Sequence, residues 1–461
     1  MTQAPGSFDA THGDAIRRRF RPVSRTLSVR AANAEAIWLF LRALLFGILL
    51  TRASSDPIFN LMAGDAGASA MGVGALVNVL VIAIALVLFL QAPLRAPWPV
   101  IAIWGPFLLI AFGATLYAPD FRAASRLAFI LLTYWAFFAI PFFILRSSLD
   151  LSRFFLVVIG SSVPPTLYAF VDIARGLSDL DEFRLQSTFS HPNIYAFYLV
   201  LVLGLALYVR ASHAIRVPPR IQILVTLYIP VLTTFLLLTK TRSAWVACGL
   251  MFLVYAFKID RRFLAAFLLV PVLFIASPSL MERLTDVTAA TEVDSFDQLS
   301  ESTRLNSYVW RQALWEAAIP QILEQPLLGH GLESFRPSTS SFFPLIGPEG
   351  IDAHNLYLQT SFEMGLLGAV ALAWLLGWPA YRFARALRRD PPGLLIILCI
   401  LMTYLLESYS DNMHFYLSFN WYFWFVMGTV YAWICREEAL AGPGATRRNE
   451  LSRMAGPPGL R

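Results

Sequence analysis

The chain has 461 residues, 57% hydrophobic and 14% charged, where a soluble domain carries about a quarter charged residues. Its mean hydropathy is +0.60 and apolar runs of about 20 residues recur along it, so the length does not convert into a number of soluble domains. The net charge of +6 argues for no nucleic-acid partner, because the basic residues cluster in short segments between apolar runs, as membrane topology requires.

From the N-terminus, residues 1–35 read as a basic cytoplasmic tail, with "RRRFRPVSRTLSVR" ahead of the first apolar run and no small-residue cleavage site of a signal peptide. Twelve candidate transmembrane helices follow, near 36–51, 72–91, 98–118, 127–145, 154–174, 192–210, 221–239, 243–257, 262–277, 355–380, 393–409 and 415–435. The expectation is an all-α polytopic membrane protein: spans 1–9 within 36–277, a long loop over 278–353, spans 10–12 within 354–435, and a C-terminal tail over 436–461. Placing both termini in the cytoplasm puts 24 of the 36 basic residues on that side and 11 on the other, with Arg42 inside the first span. Cys248, Cys399 and Cys435 lie in or beside apolar runs and form no CxxC pair, so they read as buried thiols.

The loop over 278–353 is expected to be extracytoplasmic. It begins with acidic residues (Glu282, Asp286, Glu292, Asp294, Asp297, Glu301), whose spacing matches no calcium loop. Between Arg304 and Leu323, apolar and aromatic residues at helical spacing, Trp310 and Trp315 among them, predict an amphipathic helix lying on or near the bilayer. A loop of this length reads as a lid.

The polar residues that run against the charge bias carry the functional signal. They are Arg126 at the start of the fourth span, Arg184 in "RLQSTFSHPNIYAFYL", Lys240 and Arg242 in the turn "TKTRSAW", and Arg304 at the start of the loop helix. His191 and His354 each stand at the outer N-terminal end of a span. Guanidinium groups bind phosphate oxygens bidentately and helix N-termini add positive dipole ends, so the ring suits a diphosphate. Each residue also has a structural reading: Arg126 snorkelling to lipid headgroups, and His191, followed by Pro192, as a helix-start element. In "IDAHNLYLQTSFEMGLLG", Asp352 is expected to cap a helix with His354 in its first turn. The dipole there disfavours the protonated ring, so an uncharged imidazole able to accept a proton is expected. Ser361, Gly365 and Gly368 form a small-residue stripe suited to packing against another span, and Glu363 is expected to face protein.

These residues lie in an ordered set of motifs. "RQALWEAAIPQILEQPLLGHGLESF" followed by "HNLYLQTSFEMGLLG" resembles the signature of the O-antigen ligase and Wzy-type polysaccharide polymerase superfamily. "RLQSTFSHPNIYAFYL" and "TKTRSAW" resemble its upstream elements, and "DNMHFYLSFNWYFWFVMG" looks like its ExoQ-like exopolysaccharide-polymerase branch. The resemblance implies a GT-C-like glycosyltransferase of the bacterial inner membrane, working at the periplasmic face on undecaprenyl-diphosphate-linked glycans. It puts the acceptor-activating role on His354 and diphosphate binding on Arg242 and Arg304, with Arg184 as a third. Lys240 has no firm counterpart, and it stands with His191 and Arg126 as a secondary candidate.

The sequence shows no P-loop and no Asp-x-Asp box, so no metal or cofactor is expected. The implied acceptor is a new repeat unit for a polymerase or lipid A-core for a ligase, with membrane lipid and the export and chain-length machinery as further partners. The C-terminal segment tilts towards the polymerase. A flippase or secondary transporter is the reading from another class, but such folds often show internal repeats and the two halves here differ.

Overall fold

The computed structural model describes residues 35–63, 73–91, 98–176, 183–265, 307–343 and 349–454. The chain divides into two units, Met1–Ile48 and Leu49–Arg461. In the first, residues 35–48 are helical and begin α1, which runs over 35–52. The second holds α2 (Asp56–Ala63), α3 (Val73–Gln91), α4 (Trp98–Thr115), α5 (Phe121–Ile144), α6 (Ser148–Gly160), α7 (Val163–Gly176), α8 (Pro192–Ala211), α9 (Pro219–Leu238) and α10 (Arg242–Lys258). After these come α11 (Ser307–Glu324), α12 (Phe335–Phe342), α13 (Leu356–Ala386), α14 (Pro391–Ser410) and α15 (Leu417–Met454). No strand occurs among the described residues.

Among the described residues, eight helical stretches are long and apolar enough to cross a membrane: α3, α4, α5, α6 continued by α7, α8, α9, α13 with its short extension, and α14. Twelve were expected. α1, α10 and α15 fall where spans were expected without meeting that measure; α10 has only 17 residues, and the first half of α15 is rich in Trp and Tyr. The ninth expected span lies outside the described residues beyond Ala265, as does the acidic beginning of the loop.

The core forms around α8 and the first half of α15. Every residue of α8 from Ile194 to Val209 is buried, and α15 buries Phe419, Trp421, Tyr422, Phe423 and Trp424 in succession. A helix apolar on all sides has to be enclosed by others. Hydroxyls inside such a bundle need protein partners, because lipid offers none. Tyr198 pairs with Ser161 at 2.7 Å, and the Tyr422 hydroxyl donates to the Leu49 carbonyl at 2.6 Å while accepting from the Ala53 N–H at 2.9 Å. Leu109, Leu224 and Leu227 stand exposed on outer helix faces, as lipid contact allows.

One break in the helices positions the site. Gly365, inside α13, has φ 61°, a conformation that glycine adopts without steric cost. The break frees main-chain groups, and the segment before α12 takes them up. Leu366 and Leu367 donate to the carbonyls of Pro326 and Leu327, and those of Phe362 and Glu363 accept from His330 and Gly331. A Cβ on Gly365 would sit 2.4 Å from the Leu327 backbone, and one on Gly329 would sit 2.6 Å from the Glu363 carbonyl carbon. The small-residue stripe therefore contributes its Gly365 to a contact with "PLLGHG", not with another span. α11 rides on this clamp. It buries Leu314 and Ala318 against Phe335, Phe343, Ala353 and Phe362, while Ile319 and Leu323 stay exposed on it.

Candidate functional site

The start of α13 differs from expectation. Asn355, not Asp352, is the N-cap; its side-chain oxygen accepts from the N–H groups of Tyr357 and Leu358 at 3.0 and 3.1 Å. Asparagine caps as well as aspartate does, and it stands where the backbone is still extended. His354 is thereby placed one residue before the cap, with φ 48°. That left-handed conformation is uncommon for a residue with a Cβ.

Across from it, Asp411 ends α14. Its Oδ1 lies 3.4 Å from His354 Nδ1, and its Oδ2 accepts from Asn193 Nδ2 at 2.7 Å. The side-chain oxygen of Asn193 accepts from Arg184 Nη2 at 2.8 Å and from the Thr241 hydroxyl at 3.2 Å. The guanidinium of Arg184 also donates through Nε to the Thr239 carbonyl at 3.0 Å. One continuous network thus joins His354, Asp411, Asn193 and Arg184, bringing together the starts of α8 and α13, the α9–α10 turn and the end of α14. A carboxylate can only accept, so His354 Nδ1 carries the proton in this pairing, and in the uncharged form of the ring the lone pair is on Nε2.

His191 borders the network as the N-cap of α8, with Pro192 in the first turn. Its Nδ1 accepts from the Asn193 N–H at 3.1 Å, which bears out the helix-start reading. Burial lowers the pKa of the ring, and Arg184, His354 and Arg311 add to this against the pull of Asp411. For Asp411 burial works in the opposite direction and would raise the carboxyl. The hydrogen bond and charge of His354, with the hydrogen bonds of Tyr416 and Asn193, outweigh it and hold Asp411 below the ordinary carboxylate range.

The other expected residues divide. Arg242 opens α10 directly after Thr241, a member of the network. Lys240 is buried in the same turn with φ 52°. Arg126 belongs to a different group: its charge acts on Glu333, together with those of Asp352, Arg336 and Asp120. Arg304 lies outside the described residues. The arginine that α11 delivers is Arg311, which sequence reasoning passed over. Its Nη1 donates to the Ser410 carbonyl at 2.7 Å, next to Asp411, and its charge acts on His191 and Tyr416. The sequence held a signal for it, because Arg311 and Trp315 are four residues apart and share a helix face.

An apolar groove of about 400 Å³ opens beside Asn355, walled by Ile319 and Leu323 of α11, Leu358 of α13 and Tyr409 of α14. No group of three or more His, Cys, Asp or Glu side chains among the described residues could hold a metal ion.

Residues 225–373 match the family model described as O-antigen ligase. No curated protein matches the chain significantly. The matched segment contains Lys240, Arg242, Arg311 and His354. The remaining members of the network, Arg184, Asn193 and Asp411, come from segments on either side of it. The matched segment thus holds only part of the constellation, and the segments flanking it complete it.

Proposed function

We propose that this end of the bundle faces the periplasm and transfers a glycan from undecaprenyl diphosphate to a sugar hydroxyl, as a polysaccharide polymerase of the bacterial inner membrane. The observation that carries the reading is the network of His354, Asp411, Asn193 and Arg184, with Arg311 of the loop helix beside it.

In this mechanism His354 Nε2 takes the proton of the acceptor hydroxyl as the oxygen attacks the anomeric carbon. The bond from that carbon to the diphosphate breaks, its electrons leave with the lipid diphosphate, and the anomeric configuration inverts. Asp411 fixes the tautomer and stabilises the imidazolium that forms. Arg311, Arg184 and Arg242 surround the leaving group, and fixed cations outside bulk water offset its growing charge at little reorganisation cost. The diphosphate linkage already stores the energy, so no nucleotide enters the reaction.

A second reading is favoured by the name of the matching family: a ligase that moves finished polymer onto lipid A-core. His354→Ala in cells separates the two. A polymerase defect leaves single repeat units on the lipid carrier, whereas a ligase defect leaves long chains stranded there. Units trapped on the inner leaflet would point to a flippase instead. Unchanged lipid-linked and surface glycan pools would remove His354 from the chemistry.

A further inference from the structure

We infer that Gln359 is a positioning residue for His354, holding the imidazole in its left-handed backbone conformation from within the bundle. The inference rests on the proposed role of His354 and goes beyond it, because no motif or family match assigns Gln359 anything.

Gln359 lies one turn into α13, with only 3% of its surface exposed. Long side chains on a helix lean towards its N-terminus, which carries the amide back over the residues preceding the helix. There Oε1 accepts from the Ala353 N–H at 3.1 Å. Nε2 donates to Glu363 Oε1 at 2.8 Å and, more weakly, to Asp352 Oδ1 at 3.4 Å. The amide has one orientation that works. Flipped, it would set its carbonyl against two carboxyl groups and its NH2 against an N–H.

The opposite side of the same residue is held too. Trp315 Nε1 donates to the Ala353 carbonyl at 2.7 Å. Both main-chain polar groups of Ala353, buried at 0% exposure, are therefore satisfied by side chains, one from α13 and one from α11. Asn355 caps the helix on the other flank of His354. The histidine is gripped on both sides, and these grips replace the regular hydrogen bonding that a left-handed residue forfeits. Glu363 anchors the amide itself, which gives a purpose to the carboxylate in this helix that the proposed chemistry does not use.

Methionine is close to glutamine in length and lacks both hydrogen-bonding groups. In lipid nanodiscs, Gln359→Met should lower kcat by about tenfold to a hundredfold, the scale of a misplacement near 1 Å, and leave KM for the lipid-linked donor within about twofold. Gln359→Glu keeps the acceptor for Ala353 and should recover part of kcat. A parallel readout needs no substrate: the rate at which diethyl pyrocarbonate modifies His354, followed by mass spectrometry with His191 as internal reference. That rate should change severalfold in Gln359→Met. If kcat per folded molecule is unchanged in both variants, the inference fails. If Gln359→Met does not fold, Gln359→Glu decides by the same two measurements. If His354→Ala leaves the glycan pools intact, the proposed reaction is what fails, and the modification rate alone then judges whether Gln359 holds the ring; an unchanged rate overturns the inference.

Discussion

The two ends of the helix bundle are built differently. At the His354 end, four of the described non-glycine residues have left-handed backbone, Ser187, Lys240, Glu333 and His354, and all four lie in segments leading into or out of helices there. At the other end Asp390, fully buried, caps α14 and accepts from the Ser212 hydroxyl and from the N–H groups of His213 and Gly393. Arg210 pairs with Asp260 at 3.0 Å, and Arg382 with Glu438 at 2.7 Å. None of the four left-handed residues is found in these contacts. Backbone strain of about 1–3 kcal/mol per residue persists only where surrounding contacts impose it, and it gathers where geometry serves chemistry. One end is arranged to hold the helices together. The other spends stability on placing side chains.

The contrast breaks first at Asp411. Asp411→Asn keeps the side-chain volume but removes the negative charge opposite His354 and permits the wrong tautomer. We expect kcat to fall by about a hundredfold or more while the thermal midpoint changes little. A large loss of folded protein with kcat per molecule intact would put Asp411 with the structural end instead.

Asp390 supplies the reciprocal test. Asp390→Ala leaves a buried hydroxyl and main-chain N–H groups without their acceptor, at a cost of about 1–3 kcal/mol. Thermal unfolding in detergent should show the lowered midpoint, and turnover per folded molecule should match the parent. Reduced turnover in the folded fraction would mean that the two ends are coupled.

Sequence reasoning read these ends unequally, for a physical reason. Apolar helices were legible because an apolar run long enough to cross lipid is a local signal; described helices lie at every expected span but the ninth, and eight helical stretches among the described residues are long and apolar enough to cross a membrane. His354, His191 and Arg184 stood out in the sequence because polar residues at membrane entrances are costly and run against the charge bias. Asp411, Asn193 and Gln359 were not, since their meaning comes from contacts. Asn193 meets Asp411 across 218 positions, Arg311 reaches Ser410 across 99, and His354 meets Asp411 across 57. The N-cap was misassigned by three positions because Asp352 and Asn355 are equally good caps by type, and only the backbone decides between them.

The smallest expected effect lies within the His354 end and sharpens where its boundary runs. Burial, then the nearby charge of Asp352, raises the Glu333 carboxyl from 4.5 to about 7, against the opposing pull of Arg336 and Arg126. A carboxyl that holds its proton more tightly folded than unfolded contributes stability at low pH. That contribution is lost as pH rises from the ordinary carboxyl value through about 7. The thermal midpoint of the parent should therefore decline over this window, and Glu333→Gln, uncharged throughout, should flatten the decline. Arg126→Ala removes a cation that favours the ionised form, so it should steepen the decline and leave kcat unchanged. If Arg126→Ala instead lowers kcat and leaves the pH profile alone, Arg126 belongs with the diphosphate-binding arginines, as its place in the sequence first suggested, and the Glu333 group is not a separate structural cluster.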